Sequence, residues 1–244
     1  MAEQTMASAP AAAVAVKVES VAQAAHHAPP ASVVKHEASS NNGSGTLLFG
    51  KYSYDGIVVA DEGLRAYINL TPMKLPHTFA RHANKQFAKA RVNIVERLAN
   101  KLMRGGTGEK LGGKVIRTSG RLQGKKTTTL KVIERAFAIA FKRTNSNPIQ
   151  LLVRSLEFSA PREDITRVRF GGIAYQVAVD VSPQRRLDLA LRNLSIAAIL
   201  ASFNNKLSLA DALANEMALA ANNDATSYSI KHKNEIERMA RSAR

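Results

Sequence analysis

The chain has 244 residues, with 35 Lys and Arg against 19 Asp and Glu, a formal net charge of +16 and no cysteine. Because 45% of the residues are hydrophobic, the chain can bury a core, and no stretch approaches the roughly 18 to 20 apolar residues of a membrane span. The lack of cysteine excludes disulfides and thiolate chemistry. Neither a secretory signal nor a transit peptide is recognisable, so we expect a soluble, basic, cytoplasmic protein.

The charge is unevenly distributed along the chain. Residues 1–45 are rich in Ala, Ser and Pro and contain no aromatic residue, which predicts a disordered tail ahead of a single domain over residues 46–244. That domain holds 33 basic and 16 acidic residues, a net charge of +17. Residues 74–135 alone contain 16 basic and three acidic residues, a net charge of +13. Such a concentration is typical of a surface that binds a polyanion.

Most of the domain has the periodicity of helices. After a short β-prone extension, apolar residues recur every three to four positions in 93–104 and 129–143, which predicts two helices. The Gly-rich, basic stretch from Gly105 to Lys126 between them predicts a loop. Three later helices are predicted from start signals, and a last helix is predicted from about Ser227. The start signals are Asn147 with Pro148, Ser182 with Pro183, and Ser208 with Asp211.

Residues 165–170 and 173–181 alternate in a β pattern around Gly171 and Gly172, which predicts a hairpin with a primed turn. Since a two-stranded ribbon is barely stable alone in water, its apolar face is expected to lie on the helices, at least near the base. The other face is then free for an anion. Pairing across the turn places Val168, Phe170, Ile173, Tyr175 and Val177 on the apolar face, and Arg167, Arg169 and Gln176 on the other.

The residues that could support catalysis do not assemble into a site. Gly108, Gly113 and Lys114 have phosphate-loop spacing, but Val115 stands where a hydroxyl must bind magnesium. His77 and His82 are five positions apart and have no carboxylate within ten residues, which argues against a metal site. The carboxylate pairs Glu163 with Asp164 and Glu235 with Glu237 are better explained by a hairpin base and by helix-surface ion pairs. We therefore expect no enzyme, metal or cofactor.

Binding of nucleic acid is better supported. Arg167 and Arg169 share a hairpin face with almost no carboxylate nearby, and Arg185 and Arg186 stand just inside a helix start, where phosphate is favoured, although Asp188 could pair with either arginine. Aromatic side chains could stack on unpaired bases. For the phenylalanines among them, core packing is the more common role at helical spacing. These aromatic residues are Phe79, Phe87 and Tyr175.

Four motifs in a single order carry a family resemblance. They are NKLMRG at 100–105, NPIQ at 147–150, GGIAYQV at 171–177 and SPQRR at 182–186. With them, about residues 47–244 resemble small-subunit ribosomal protein seven. The ending, from SYSIK at 227–231 to residue 244, is similar to the archaeal and eukaryotic branch of that family. Gln184 and LDLAL at 187–191 are similar to its archaeal members.

The resemblance implies a mainly α fold, a bundle of about six helices with a protruding two-stranded hairpin, and a location on the ribosome. It implies a structural protein that binds small-subunit rRNA directly and organises the head. Proximity to exit-site tRNA, to mRNA and to small-subunit protein eleven is also implied, without membrane or enzymatic activity. The residues expected to bind RNA, from their charge or from their position in the family motifs, are Lys85, Lys89, Arg91, Lys101, Arg104, Lys125, Lys126, Arg162, Arg167, Arg169, Gln176, Arg185 and Arg186.

Two other functions fit parts of the sequence. A free, basic, helical DNA-binding protein would have the same excess of positive charge, and it would bind duplex DNA as tightly as folded RNA. An enzyme acting on a phosphorylated substrate would rest on the imperfect phosphate-loop spacing alone. Composition by itself does not separate RNA binding from DNA binding, whereas the family resemblance favours RNA.

Overall fold

A computed structural model describes residues 45–111, 114–117 and 120–244. The predicted tail lies outside these ranges except for residue 45, so its disorder stays a prediction. In the described ranges the chain forms seven α-helices, two short 3-10 helices and two antiparallel strand pairs. The 3-10 helices are Arg81–Asn84 and Ala88–Arg91. The α-helices are α1 (Glu62–Arg65), α2 (Ile94–Leu102), α3 (Lys126–Thr144), α4 (Pro148–Ser159), α5 (Pro183–Ser202), α6 (Leu209–Ala221) and α7 (Tyr228–Ser242), and the strands are β1 (Thr107–Leu111), β2 (Lys114–Arg117), β3 (Glu163–Phe170) and β4 (Ile173–Asp180).

The predicted helical bundle with a two-stranded hairpin is confirmed. The Asn147 side chain accepts a hydrogen bond from the backbone N–H of Ile149 at 3.0 Å, and Pro148 occupies the first turn of α4, where the missing N–H costs nothing. Ser208 likewise caps α6. Ser182 precedes α5 without a side-chain cap. The β-prone extension makes isolated bridges, such as Leu48 to Tyr52, instead of a strand.

Helix α6 lies at the centre of the bundle and packs on α3, α4 and α5. A helix surrounded by others must be apolar on most of its sides, and α6 buries five alanines together with Leu213, Met217 and Glu216. The small alanine side chains let the neighbouring helices approach closely. The core that results includes one fully buried side chain from each of five helices, α2 to α6: Leu98, Phe137, Leu152, Leu191 and Leu213.

The segment after α2 corrects the predicted basic loop. Within it, β1 and β2 pair antiparallel, with Lys110 opposite Val115 and Leu111 opposite Lys114. The many glycines conceal this short pairing in the sequence. Gly105, at the start of the segment, lies so close to α5 that a Cβ there would stand 1.9 Å from Ile199 Cδ1. Glycine therefore allows the end of α2 to pack on α5.

The hairpin of β3 and β4 has the predicted register, with Arg167 opposite Gln176 and Phe170 opposite Ile173. Its base packs on α7, as expected. Further out, the apolar face is not covered by helices, because Ile173 and Tyr175 remain 60% and 51% exposed. The prediction that helices cover this face thus holds only for the base. Eight-residue strands span roughly 27 Å, so the outer half of the ribbon projects beyond the helices that hold it.

No helix in the described ranges combines the length and the apolar character that crossing a bilayer requires.

Candidate nucleic-acid interface

The predicted RNA-binding side chains divide into two groups. The first group is exposed, and none of its members has a carboxylate partner within the ranges that the structure describes. Such cations remain available to neutralise phosphates. The group consists of Lys85, Arg91, Arg104, Lys125, Arg162, Arg167 and Arg169, and exposed Gln176 lies on the same hairpin face as the last two.

The second group is paired within the chain. These five cations each contact a carboxylate from a distant segment, which fixes their positions but uses part of their charge. Their contact with RNA stays a prediction. They are Lys89 and Lys101 with Asp188, Lys126 with Glu96, Arg185 with Asp164, and Arg186 with Asp61.

Asp188, on α5, accepts contacts from three cations. Lys89 is one partner, Arg97 Nη2 lies 3.3 Å from Asp188 Oδ1, and Lys101 Nζ lies 3.6 Å from the same oxygen. Burial raises the pKa of Asp188, but the three cations outweigh it and lower the pKa below its ordinary value. The expected pairing of Asp188 with Arg185 or Arg186 is therefore wrong. Instead, Asp188 joins α5 to α2 and to the 3-10 helix before α2.

Glu96 is a fully buried carboxylate on α2. It accepts hydrogen bonds from the backbone N–H of Thr78 at 3.0 Å and from the Thr78 hydroxyl at 2.8 Å, and it contacts the ammonium group of Lys126. Burial raises the pKa of Glu96, but the hydrogen bonds from Lys126 and Thr78 together lower it below its ordinary value. Glu96 therefore joins three segments: the loop before the 3-10 helices, α2 and the start of α3.

Two ion pairs fix the start of α5. Arg186 Nη2 donates to Asp61 Oδ2 at 2.7 Å, and Asp61 also caps α1. Arg186 is largely buried, so its main contact here is structural. Arg185, in contrast, is exposed and reaches Asp164 at the hairpin base over 3.2 Å. The pair of arginines thus joins α5 to both the N-terminal segment and the hairpin.

The position of the two phenylalanines corrects the sequence interpretation. Phe79 and Phe87 are 73% and 67% exposed, so the core role expected for them is wrong. Both have positive φ angles, 51° and 58°, which is uncommon for a bulky residue and orients each ring through the local backbone. The Phe79 ring also lies 4.2 Å from the His77 ring. Two exposed aromatic rings therefore stand within a basic segment.

Arg97 was not among the predicted site residues, although it is central to the arrangement around Asp188. Its side chain is almost fully buried, and Nη1 donates to the Tyr67 carbonyl at 3.2 Å. The signal that could have found it is spacing: Arg97, Lys101 and Arg104 recur at i, i+4 and i+7, which is one helix face.

The described residues contain no group of three or more His, Asp or Glu side chains that could hold a metal ion. His77 and His82 make other contacts: His77 Nδ1 accepts from the Phe79 N–H at 3.0 Å, and His82 Nδ1 lies 3.3 Å from the Thr78 hydroxyl. Part of the phosphate-loop pattern falls outside the described residues, since Gly113 is among those without a described position.

A basic helical bundle with exposed, uncompensated arginines on a projecting ribbon defines the class of nucleic-acid-binding proteins. Comparison with known proteins narrows the class. Residues 64–244 match the family model described as ribosomal protein S7p/S5e. The chain is also 46% identical, over 198 residues, to small ribosomal subunit protein uS7 of Methanothermobacter thermautotrophicus, a match that covers 81% of this chain and 99% of the relative.

The chain belongs to the ribosomal protein S7p/S5e family. It is thus an archaeal-type, RNA-binding structural constituent of the small ribosomal subunit that acts in translation, and the expected location on the ribosome is confirmed. Members of this family are structural proteins and not enzymes. The resemblance found in the sequence is therefore confirmed at the level of the family.

Proposed function

We propose that this chain binds small-subunit rRNA directly, through the exposed cations of residues 85–125 and through the hairpin, and that this contact organises the head of the subunit. The observation that carries the proposal is the pair Arg167 and Arg169, exposed on the outer half of a ribbon whose base is held by α7. Of the ion pairs in the described ranges, those nearest the pair are at the hairpin base, at Glu163 and Asp164.

The distribution of charge supports a folded RNA as the ligand. Phosphate contacts supply affinity without reading sequence, so specificity must come from matching the shape of the RNA. The bundle suits this purpose, since its cations are fixed by cross-links such as Asp188 and Glu96 and project from helices and not from a flexible tail. Preorganised cations lose little entropy on binding.

The hairpin is further proposed to reach exit-site tRNA and the mRNA path. Its length and its exposure on both faces support this role, since Tyr175 and Ile173 are free for stacking or apolar contact while the arginines face the other way. Proximity to small-subunit protein eleven and to other head proteins is proposed on family membership. The relative from Methanothermobacter is itself named as a small-subunit protein.

The direct test compares two ligands at physiological salt. We expect the chain to bind a transcript of the head domain of small-subunit rRNA at least about 1,000-fold more tightly than duplex DNA of equal length, the lower end of the range for specific recognition. Equilibrium filter binding or fluorescence anisotropy measures both affinities. Equal affinity for the two ligands would contradict rRNA recognition and favour a general DNA-binding protein.

Replacing both exposed phenylalanines, Phe79→Ala with Phe87→Ala, is expected to weaken binding to the head transcript by about 10-fold or more, because stacking contributes about 1 to 3 kcal/mol per base. The free energy of unfolding should change by less than about 0.5 kcal/mol per site, since both rings are exposed. Anisotropy titration and thermal melts measure the two effects.

Two controls separate stacking from general apolar contact. The variant Phe79→Tyr with Phe87→Tyr keeps two rings and should retain affinity. The variant Leu75→Ala removes an exposed aliphatic side chain from the same segment and should change little. If the tyrosine variant loses as much affinity as the alanine variant, the rings do not act by stacking.

A further inference from the structure

A small cavity opens between α2, the 3-10 helix Ala88–Arg91 and the start of α5. Its volume is about 180 Å³. This is well below the roughly 300 to 1,000 Å³ of pockets that take drug-sized ligands, yet several times the roughly 30 Å³ that one water occupies in the liquid. The charged and titratable side chains that line it are His82, Lys89, Arg97, Lys101, Arg104 and Asp188.

Positive charge in this cavity exceeds what its one carboxylate can balance. Four permanent cations face Asp188 alone. The crowding has a measurable consequence at Lys101: burial lowers the pKa of its ammonium group, the charges of Lys89 and Arg104 lower it further, and Asp188 only partly offsets them. A site with this excess of buried positive charge is stabilised by a second anion.

Arg97 supplies independent evidence of a missing partner. Its side chain is 2% exposed and lines the cavity. Although Nη1 and Nη2 have acceptors, Nε has none among the described residues. A buried donor without an acceptor costs about 1 to 3 kcal/mol, so such groups are rare unless a ligand or water completes them.

We propose that this cavity binds one phosphate group, and that in the assembled subunit this group belongs to the RNA backbone. The proposal deepens the rRNA-binding function argued above and rests on it for the source of the phosphate. A phosphate offers several acceptor oxygens in the geometry that a guanidinium fork matches, and the cavity has room for one such group with water. Free inorganic phosphate has the same chemistry, so the test must separate the two sources.

The RNA arm uses alkylation interference. Phosphates of the head transcript are ethylated at random, and RNA bound to the protein is separated from unbound RNA. With the native chain, ethylation at one position should block binding. With Lys101→Gln plus Arg104→Gln, affinity should fall about 10- to 100-fold, the magnitude of the salt slope should fall by about 1, and interference at that one position should disappear.

The control is Arg154→Gln, which removes a charge from an exposed position on α4 outside the cavity. It should keep the interference pattern of the native chain. Thermal melts check that all variants fold, and Arg104→Gln alone serves if the double variant does not, because Arg104 is exposed. An interference pattern in the cavity variant identical to that of the native chain would overturn the RNA source.

The second arm titrates inorganic phosphate into the free protein at constant ionic strength and follows the ammonium signal of Lys101 by NMR. A saturable shift that Arg104→Gln weakens and Arg154→Gln leaves unchanged supports the cavity as a phosphate site. This arm does not depend on RNA: if the native chain fails to prefer the head transcript, the proposed function fails while the cavity is still tested. Loss of neither interference nor phosphate binding in the cavity variants would overturn the inference.

Discussion

Reversing the two hairpin arginines, Arg167→Glu with Arg169→Glu, is expected to weaken binding to the head transcript by about 100-fold or more. Each charge-assisted phosphate contact contributes about 1.5 to 3 kcal/mol, and the new carboxylates repel the phosphates as well. Since each neutralised phosphate contributes about 0.7 to 0.9 to the salt slope, its magnitude should fall by roughly 1.4 to 1.8. Anisotropy titrations at several salt concentrations measure both quantities.

The matched control reverses two exposed cations on the helices, Lys142→Glu with Arg154→Glu. It changes the net charge by the same amount, so it reports the effect of the overall field, which salt screens over about 8 to 10 Å. We expect a much smaller loss and an unchanged slope. If the two double variants lose affinity equally, the hairpin acts through net charge and not through contact. Unchanged affinity in the hairpin variant would remove that face from the interface.

Truncating the buried carboxylate, Glu96→Ala, is expected to lower the free energy of unfolding by about 3 to 5 kcal/mol, the usual cost of leaving a buried charge without its partner. Lys126 would lose its contact, and both hydrogen-bond donors of Thr78 would lose their acceptor. For a domain of this size the melting temperature should fall by roughly 6 to 20 °C. Urea unfolding followed by circular dichroism measures the change.

Glu134→Ala provides the comparison. Glu134 pairs with Lys51 at 2.9 Å, but both side chains are more than a third exposed, and such surface pairs contribute at most about 1 kcal/mol. A loss at Glu96 no larger than the loss at Glu134 would contradict the role assigned to the buried carboxylate. Replacing both members of the buried pair, as Glu96→Leu with Lys126→Met, should recover part of the stability, because no unpaired charge remains.

The same carboxylate gives stability a pH dependence. Because the pKa of Glu96 is lower in the folded chain than its ordinary value of 4.5, its contribution is fully present above that value. The contribution falls as the pH decreases from 4.5 through the lowered folded pKa. Asp61 and Asp188 have lowered pKa values as well and act in the same direction. Acid unfolding of Glu96→Gln should therefore show a weaker dependence on pH in this range.

Local signals in the sequence predict much of the fold. The start of α4 at Asn147 and Pro148 depends on a hydrogen bond that spans two residues, and the hairpin register depends on a two-residue turn. Both are determined by neighbours in the chain, so both predictions are confirmed. The exposed phenylalanines were assigned wrongly, because helical spacing of apolar residues does not reveal that the backbone at Phe79 and Phe87 is left-handed.

The candidate interface was predicted as a set of charged residues, not as an arrangement. The sequence shows that Lys89, Lys101 and Asp188 are charged, yet nothing local indicates that one carboxylate pairs with both lysines. The same holds for Arg97, whose burial depends on how α2 packs on α5. Spacing alone places Arg97 and Lys101 on one helix face, but not the cavity that they line.

From its sequence alone the chain is determined to be a basic helical protein of a recognisable ribosomal family, with its helix starts and its ribbon register. These features arise from contacts within a few residues and from composition. Tertiary structure alone decides which cations stay free and which are neutralised, since the decisive ion pairs join residues 91 to 125 positions apart. Free energies of pairing and burial depend on those distant neighbours, and no local pattern contains them.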